Sequence, residues 1–246
     1  MAMDVEGIVL KSFNYGDNHK IIRVLTNRYG LIGIFVNNAN KPRSRHGALA
    51  QPLILASFTL KESSGEGDLH FLYSGEVENS FYQLKLDYEK VTYFYQMAEI
   101  ILKGDMEPEA GPYLFALLKK ILLLAEDGVS MALLNVAFML KVLPLLGIKP
   151  SLDSCASCGS VEHIVAASVS QGGIICTNCY GGKENITIGP KRIPLLRAMD
   201  KVVLEKLRTV ELEDSDLEAL ELFLEGWFES YSGLNLKTAK ILKVLR

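Results

Sequence analysis

The sequence lacks the signatures of the common hydrolase and nucleotide-binding classes. Its 246 residues contain no G-x-x-x-x-G-K-[ST] phosphate-binding loop, no H-E-x-x-H zinc-protease motif and no G-x-S-x-G nucleophile motif. Residues 181–183 come nearest to the phosphate-binding loop, but glutamate follows them in place of serine or threonine and the leading glycine is missing. The four histidines are far apart in the sequence and form no local pair for acid–base catalysis. We therefore expect a protein that is not an enzyme.

Long apolar runs, an export signal and internal repeats are also absent. The most apolar stretch, residues 129–147, is interrupted by Lys141 and Pro144, so it predicts a buried helix and not a membrane span. The first six residues have no basic region, and we expect no signal peptide. The chain is 49% hydrophobic and 22% charged, with a net charge of −3, which is ordinary for a globular protein. We expect a cytoplasmic location and no membrane partner.

Cysteine is scarce, but all four cysteines lie in two Cys-x-x-Cys pairs, Cys155 with Cys158 and Cys176 with Cys179. The spacing between the pairs is typical of a four-thiolate zinc site. Residues 163–175 between them predict strand, turn and strand, which indicates a zinc ribbon. Four thiolates leave no coordination position for a reactive water, so we predict one structural Zn²⁺ ion. Two disulfides or four unrelated thiols are the alternatives, and disulfides require an oxidising compartment.

Five β-rich segments separated by turn residues occupy the first eighty residues. No helix-length segment separates the first three, and this pattern predicts a small closed barrel such as an OB-fold. An SH3-like barrel fits the spacing equally well. The predicted strands are residues 6–13, 19–26, 31–36, 52–60 and 68–75.

The remainder of the chain has the apolar period of helices. We expect an α+β protein in which an OB-fold β-barrel domain, residues 1–80, precedes a helical domain, residues 81–246, with the zinc ribbon inserted at 151–185. Ser130 is a predicted N-cap, and residues 215–218 have the pattern of a capping box for the last long helix. The predicted helices cover residues 81–103, 107–126, 130–147, 190–207 and 215–231.

Basic residues are concentrated in the predicted barrel. The segment from Lys11 to Lys61 contains eight basic residues and one acid, Asp17. Its densest part is the loop of residues 40–47, which has a proline and a glycine but no large apolar residue to bury, and which is suited to following phosphates. For Lys20, Arg23 and Arg28 individually, a solvated surface explains the charge equally well. The predicted DNA-binding residues are Lys11, Lys20, Arg23, Arg28, Lys41, Arg43 and Arg45.

Three aromatic residues of the same region, Tyr15, Tyr29 and Phe35, are candidate surfaces for base stacking. Phe35 lies in an alternating strand, where an aromatic residue more often belongs to the core. In the second half of the chain, residues 211–229 hold eight acids and no base, and this run predicts a solvated helix face. Residues 237–246 hold four bases and no acid. A solvated surface is the simplest explanation, and contact with DNA or with an acidic segment of a partner is the alternative.

Several segments follow one another along the chain in a characteristic order and spacing, although no one of them is highly specific. They are residues 7–10, 25–26 and 30–31, the basic loop 41–45 leading to 49–52, the cysteine ribbon and the segment 233–237. Together they resemble the bacterial RecO family of DNA repair proteins over essentially the whole chain.

The resemblance implies an OB-fold that binds single- and double-stranded DNA, followed by a helical domain that carries zinc. It implies that the protein anneals complementary strands. With its partner RecR, it would help to load the RecA recombinase on DNA coated by single-strand-binding protein. It further implies a contact between the helical domain and the acidic C-terminal tail of that coating protein, for which Lys191, Arg192 and residues 237–246 are candidates. Such a protein hydrolyses no nucleotide and acts in the cytoplasm, at the nucleoid.

Two other classes stay open. One is a zinc-ribbon transcriptional regulator that binds duplex DNA, although no basic recognition helix is evident in the sequence. The other is a hydrolase with its site in the barrel mouth, which would need convergent carboxylates or histidines, and residues 11–61 contain one acid.

Overall fold

The computed structural model describes residues 2–61, 69–182 and 187–245. The predicted turn at 63–67, the first residue of the fifth predicted strand and residues 183–185 of the predicted ribbon lie outside the described residues. The chain forms two compact units, one of residues 1–98 and 106–126 and the other of residues 99–105 and 127–246. The domain boundary at residue 80 stays a prediction, because compactness alone does not show which segments fold independently.

Five strands of the first unit close into a barrel. Around it they follow the order β1-β2-β3-β5-β4, with β3 parallel to β5 and the other neighbours antiparallel. This is an OB-type barrel, so the predicted fold class is confirmed and the SH3-like alternative is removed. The strands are β1 (Ala2–Tyr15), β2 (His19–Thr26), β3 (Gly30–Val36), β4 (Leu55–Lys61) and β5 (Leu69–Asn79).

The barrel closes because β1 pairs with a neighbouring strand on each side, β2 and β4. This strand is also longer than predicted. Its first half pairs with β4 and its second half with β2, and the register with β2 shifts between Val9 and Lys11. Such a bulge bends a strand and increases its twist. Alternating side chains then fill the interior, where Ile22, Ile34 and Leu60 have no exposed surface. Their sequence neighbours therefore lie on the outer surface of the barrel.

Three helices follow the barrel: α1 (Tyr82–Lys85), α2 (Tyr88–Lys103) and α3 (Gly111–Glu126). The single helix predicted over residues 81–103 is wrong, because the Asp87 carboxylate accepts hydrogen bonds from the N–H groups of Glu89 and Lys90 and begins a new helix. Helix α3 packs against β1, β2 and β3. The first residue of α3, Gly111, lies against Gly30 at the start of β3. A Cβ atom on Gly111 would lie 2.2 Å from the Gly30 Cα, so only glycine lets the two backbones come this close.

The second unit is built around α4 (Met131–Val142), whose side chains are almost all buried, as the apolar stretch predicts. The predicted N-cap is confirmed, since the Ser130 hydroxyl accepts a hydrogen bond from the Leu133 N–H at 3.4 Å. Helices α5 (Ile193–Lys201), α6 (Asp214–Ser232) and α7 (Lys237–Leu245) complete the unit. Among the described residues, no helix combines the length and the apolar character that a membrane span requires.

Two predictions for this unit are wrong in detail, and one helix was not predicted. The helix predicted over residues 190–207 ends at Lys201, and a separate 3-10 helix, Leu204–Thr209, follows. The capping box does not form, because α6 begins before Ser215 and its N-cap, Glu213, makes no capping hydrogen bond. Helix α7 was not predicted, since a nine-residue helix is marginal by itself and depends on the burial of Ala239 and Leu242.

The acidic run on α6 is solvated only in part. Glu221 is 3% exposed, and its carboxylate accepts a hydrogen bond from the Asn135 side-chain amide at 3.4 Å. A buried carboxylate needs such partners, because leaving water without them costs several kcal/mol. The prediction of a wholly solvated face is therefore wrong at this position.

Candidate nucleic-acid interface and metal centre

The basic loop after β3 presents its cations to solvent. Lys41, Arg43 and Arg45 are all exposed, and within the described ranges none of them takes part in an ion pair. Arg43 has a φ of 62°, which turns the backbone sharply in the middle of the loop. We call these three side chains the loop cations. Their charges are available to an anionic ligand, because no carboxylate of the described chain compensates them.

Asparagine side chains and backbone groups tie this loop to the β1–β2 turn. The Asn40 N–H donates to the Asn18 carbonyl at 3.0 Å, and the Asn40 amide donates to the Asn14 Oδ1 at 3.1 Å. The Asn38 N–H donates to the His19 Nδ1 at 3.2 Å. The loop cations are thus held at the end of the barrel where β2 begins. Sequence reasoning missed these anchors, although the asparagines themselves were a visible signal of turn chemistry.

The predicted strand cations do not all belong to this end of the barrel. Lys11 and Arg23 are paired across β1 and β2 on the outer surface. Lys20 lies near the loop, at the start of β2, and is half-buried. Arg28 is exposed in the β2–β3 turn, and the length of β2, about 25 Å, separates it from the loop cations. DNA binding by all of these residues stays a prediction, and the structure brings Arg28 together with none of the others.

A row of aromatic side chains crosses the outer surface of the barrel. The register aligns Phe13 with Ile21, Ile21 with Phe35, and Phe35 with Phe71. Phe13 and Phe71 are each 44% exposed. Phe35 lies between them and is half-buried, so it does not belong to the barrel core, where its neighbours Ile34 and Val36 are packed.

Two tyrosines extend this row. The Tyr15 ring contacts that of Phe35 edge-on, with centroids 5.7 Å apart, and the Phe35 and Phe71 centroids are 5.5 Å apart. Tyr73 follows Phe71 on the same side of β5 and is 60% exposed. We define the aromatic face as the set of these outward rings. Its members are Phe13, Tyr15, Phe35, Phe71 and Tyr73.

Sequence reasoning found two of these five residues and included one that does not belong. Tyr29 is 51% exposed, but it lies in the β2–β3 turn, at the opposite end of the barrel from the loop cations. Phe71 and Tyr73 flank the inward Leu72 in β5, so the alternation of that strand was the signal that could have identified them.

Two lysines make cation–π contacts with rings of the aromatic face. The Lys11 Nζ lies 4.8 Å from the Phe13 centroid, and the Lys61 Nζ lies 4.7 Å from the Tyr73 centroid. At exposed positions a cation–π contact of this kind contributes about 0.5–1 kcal/mol. Both ammonium groups are therefore held beside the rings but can leave them at little cost.

The four cysteines converge on one point of the second unit. All four sulfur atoms lie within 4.8 Å of one another, and Cys158 Sγ is 3.6 Å from Cys176 Sγ. A tetrahedral site with metal–sulfur bonds of about 2.3 Å requires sulfurs about 3.8 Å apart. The cluster therefore has the size and the donor set to hold a metal ion. Each Cys-x-x-Cys pair sits on a tight turn, in which Gly159 N–H donates to Cys155 O at 2.8 Å and Cys179 N–H to Cys176 O at 3.1 Å.

The predicted ribbon is present between these turns. Strands β6 (Ile164–Ser168) and β7 (Gly173–Cys176) pair antiparallel, and a short third strand that was not predicted, β8 (Thr187–Ile188), adds to β6. Next to the cysteines the sheet buries Ile175, while Ile164 is only partly buried. Ala167, Ile174 and Ile188 of the same sheet are also buried.

Hydrogen bonding shifts the pKa values of the four thiols in different directions. A hydrogen bond from the Cys176 N–H lowers the pKa of Cys155 to about 6. Hydrogen bonds to the Cys158 and Cys176 side chains raise the pKa of Cys179 to about 12. Without a cation, some of the four thiols therefore keep their protons. A bound cation would displace these protons, because only thiolates ligate metals.

The predicted cations of the second unit differ in how they are paired. Arg192 contacts the Asp216 carboxylate at 2.6 Å, and Lys243 contacts Glu225 at 3.0 Å. Within the described ranges, Lys237 and Lys240 take part in no ion pair. Beside them on α7, Ile241 and Val244 are 45% and 85% exposed. This helix therefore presents both free ammonium groups and apolar side chains, whereas Arg192 is already paired.

Glu99 holds the start of α7 in place. Its carboxylate accepts hydrogen bonds from the Thr238 hydroxyl at 2.7 Å, from the Thr238 N–H at 3.1 Å and from the Lys237 N–H at 3.2 Å, and it pairs with Lys103. Burial raises the pKa of Glu99, but these hydrogen bonds outweigh burial and the net pKa lies below its ordinary value. The carboxylate acts as a cap supplied by another helix.

We expect Glu99→Gln to destabilise the second unit by about 1–2 kcal/mol at neutral pH, as the loss of a charged cap does. Because the folded pKa is depressed, the contribution of Glu99 is present above its unfolded pKa of about 4.3 and is lost as the pH falls through the folded value. Urea unfolding between neutral and acid pH tests this. The wild type and Glu99→Gln should converge as the pH falls, and a difference that persists in acid would contradict the role of the charge.

Comparison with known proteins agrees with this architecture. Residues 1–81 match the family model described as "Recombination protein O N terminal", and residues 85–240 match "Recombination protein O C terminal". The chain is 32% identical over 243 residues to proteins named DNA repair protein RecO from Bacillus pumilus and from Bacillus subtilis, covering 98% of this chain and 94% of each relative. It is 31% identical over 239 residues to the protein of that name from Listeria monocytogenes, covering 97% and 92%.

Proposed function

The chain belongs to the recombination protein O (RecO) family, and from this premise we propose that it is a DNA-binding mediator of recombination in DNA repair. The observation that carries the proposal is the position of the loop cations. They are exposed, unpaired within the described chain and anchored at one end of an OB-type barrel, next to the outward aromatic rings. Cations follow phosphates and aromatic rings stack on bases, so this end of the barrel offers both elements of a nucleic-acid site.

The physical mechanism that we propose is annealing by charge neutralisation. Two complementary strands repel each other through their phosphates. A basic surface that binds both lowers this repulsion and raises their local concentration. Such a process needs no nucleotide hydrolysis and no catalytic residue. Lys11, Lys20 and Arg23 are proposed to extend the basic surface from the loop cations, and Arg28 is proposed to contact DNA from the opposite end of the barrel.

We propose that the metal held by Cys155, Cys158, Cys176 and Cys179 is one structural Zn²⁺ ion. Four sulfur ligands in a tetrahedral cluster suit zinc, and a full set of protein ligands excludes a bound reactive water. The ion would stabilise the β6–β7 ribbon by joining its two Cys-x-x-Cys turns. It would bind most strongly when all four thiols are ionised, so its affinity falls as the pH falls.

The partners that we propose follow the family. With RecR, the protein would help to load RecA on single strands coated by single-strand-binding protein. The acidic tail of the coating protein would bind α7, where Lys237 and Lys240 are free of ion pairs within the described chain and lie near the exposed Ile241 and Val244. Lys191 is a further candidate, whereas Arg192 would first have to leave Asp216. The place of action would be the cytoplasm, at the nucleoid.

A salt-dependent binding titration combined with an annealing assay tests the proposed function. We expect binding to both a single-stranded oligonucleotide and a duplex, with affinity that falls steeply as the salt concentration rises. We also expect faster annealing of complementary strands without any nucleotide. Failure to bind DNA at low salt would overturn the proposal, and binding restricted to one duplex sequence would instead favour a transcriptional regulator.

A further inference from the structure

The aromatic face is a feature that phosphate binding leaves unexplained. Exposed charges suffice to follow a phosphate backbone, yet four of the five rings of the aromatic face are between 44% and 60% exposed. Rings of this size are among the side chains that gain most from leaving water. Several such rings on one outer surface of the barrel therefore indicate a binding surface.

We infer that the aromatic face binds unpaired bases by stacking and thereby distinguishes single strands from duplex, whereas the loop cations bind the phosphates of either. This inference rests on the proposed DNA binding and assigns the discrimination to particular side chains. In a duplex the bases are paired and stacked inside the helix, so their faces cannot reach protein rings. An unpaired strand exposes them, and every base has a π-face that an aromatic ring accepts.

The charges beside the rings favour nucleic acid over an apolar protein surface. Lys11 and Lys61 hold ammonium groups 4.8 Å and 4.7 Å from the ring centroids of Phe13 and Tyr73. Arg23 is paired in register with Lys11 on the same side of the sheet. An apolar protein partner would have to bury these cations without compensation, which is costly. A nucleic-acid strand instead offers a base to each ring and a phosphate to each displaced ammonium group.

The geometry also accommodates more than one base. Phe13 and Phe71 occupy one cross-strand row and are three strand positions apart, a separation of about 14 Å. Phe35 lies between them, and its ring contacts Phe71 at one end of the row and the neighbouring Tyr15. The row therefore forms a surface on which successive bases of one strand can lie, running across the strands of the barrel.

Binding by base stacking also explains how the protein would release the annealed duplex. Complementary strands that are held by their bases lose those contacts when the bases pair with each other. The duplex then remains bound only through phosphates, where salt and competing strands displace it. The aromatic face would thus favour binding of the substrate over binding of the product, which a purely cationic surface cannot do.

The test compares Phe13→Ala/Phe71→Ala with the wild type, using oligo(dT) and a duplex of equal length. Base–aromatic stacking contributes enough that each ring should account for on the order of ten-fold in single-strand affinity. We expect the double variant to bind oligo(dT) on the order of a hundred-fold more weakly, with an unchanged salt dependence, and to bind duplex as the wild type does. Tyr82→Ala is the matched control, because it removes an exposed aromatic ring on α1, outside the barrel and the aromatic face. It should change neither affinity.

Conservative and reporter variants complete the test. Phe13→Tyr/Phe71→Tyr keeps both rings and should bind oligo(dT) like the wild type. In Phe71→Trp, the new indole should be quenched by oligo(dT) and not by duplex, because the native Trp227 is only 2% exposed and contributes a constant background. If the folded alanine variant binds oligo(dT) like the wild type, the inference is overturned. Equal losses for oligo(dT) and duplex also overturn it.

Two further outcomes distinguish base stacking from self-association of the chain and from a failure of DNA binding altogether. If the alanine substitutions turn a dimer into a monomer and leave DNA binding unchanged, the aromatic face is an interface between copies of the chain and the inference is wrong. If the wild type binds no DNA of either kind, the proposed function itself fails. A wild type that binds DNA, together with an unaffected alanine variant, overturns only the assignment of the aromatic face.

Discussion

Reversing the three loop cations together, as Lys41→Glu/Arg43→Glu/Arg45→Glu, will weaken DNA binding by on the order of a hundred-fold at about 0.1 M salt and will flatten its salt dependence. Each phosphate contact releases condensed counterions. Losing three contacts should therefore reduce the slope of log K against log salt by about 2 for single strands and by about 3 for duplex. The effect should be similar for both forms of DNA, because phosphates do not distinguish them.

The loop cations can be replaced without disturbing the loop itself. All three side chains are exposed, and the hydrogen bonds that anchor the loop come from asparagines and from the backbone, so the substitutions leave those anchors intact. A control with the same change of net charge is Lys90→Glu/Lys201→Glu/Lys206→Glu, which alters cations outside the barrel. It should retain nearly the full salt slope. Unchanged affinity and slope in the loop variant would exclude the loop cations from the DNA site.

The second large effect is expected at the cysteine cluster. Cys155→Ser/Cys176→Ser removes one thiolate from each pair and should abolish stoichiometric zinc binding. Structural zinc is a major source of folding free energy in small metal-dependent folds. We therefore expect the thermal midpoint of unfolding to fall by about 10 °C or more. Metal content by elemental analysis and thermal unfolding by circular dichroism measure the two parts of this prediction.

The neighbouring Ser157→Ala is the matched control, because Ser157 is exposed on the same turn and is not among the clustered sulfur ligands. It should keep both the metal and the midpoint. Since the loop cations belong to the other compact unit, the cysteine variant should still bind DNA at temperatures where it is folded. A serine variant that holds no zinc and still unfolds at the wild-type temperature would contradict a stabilising role for the metal.

The clustering of the four cysteines and the exposure of the loop cations could be predicted because both depend on local sequence. Two Cys-x-x-Cys pairs place thiols on tight turns whatever the remainder of the fold does, and the structure brings all four sulfurs together. A polar loop with three bases can only be solvated, and its cations are exposed. Ser130 also follows this logic, because an N-cap depends on the residues of one turn.

Predictions failed where a competing local contact or distant packing decided the result. Asp87 caps a new helix and divides the one predicted over residues 81–103. Helix α7 forms because Glu99, far away in the sequence, caps it and because the second unit buries Ala239 and Leu242. Glu221 lies in an acidic run, but packing against α4 brings it to Asn135 and buries it. None of these contacts can be found from periodicity.

The sequence by itself thus predicted the candidate functional residue types, since charge, thiol spacing and strand-forming segments are properties of neighbouring residues. Which of them act together was decided by the closing of the barrel. The parallel pairing of β3 with β5 brings Phe71 beside Phe35, and the β1–β2 register aligns Phe13 with the same row. Because strand register joins residues that are distant in sequence, a shift of one position would turn these rings into the core and remove the aromatic face.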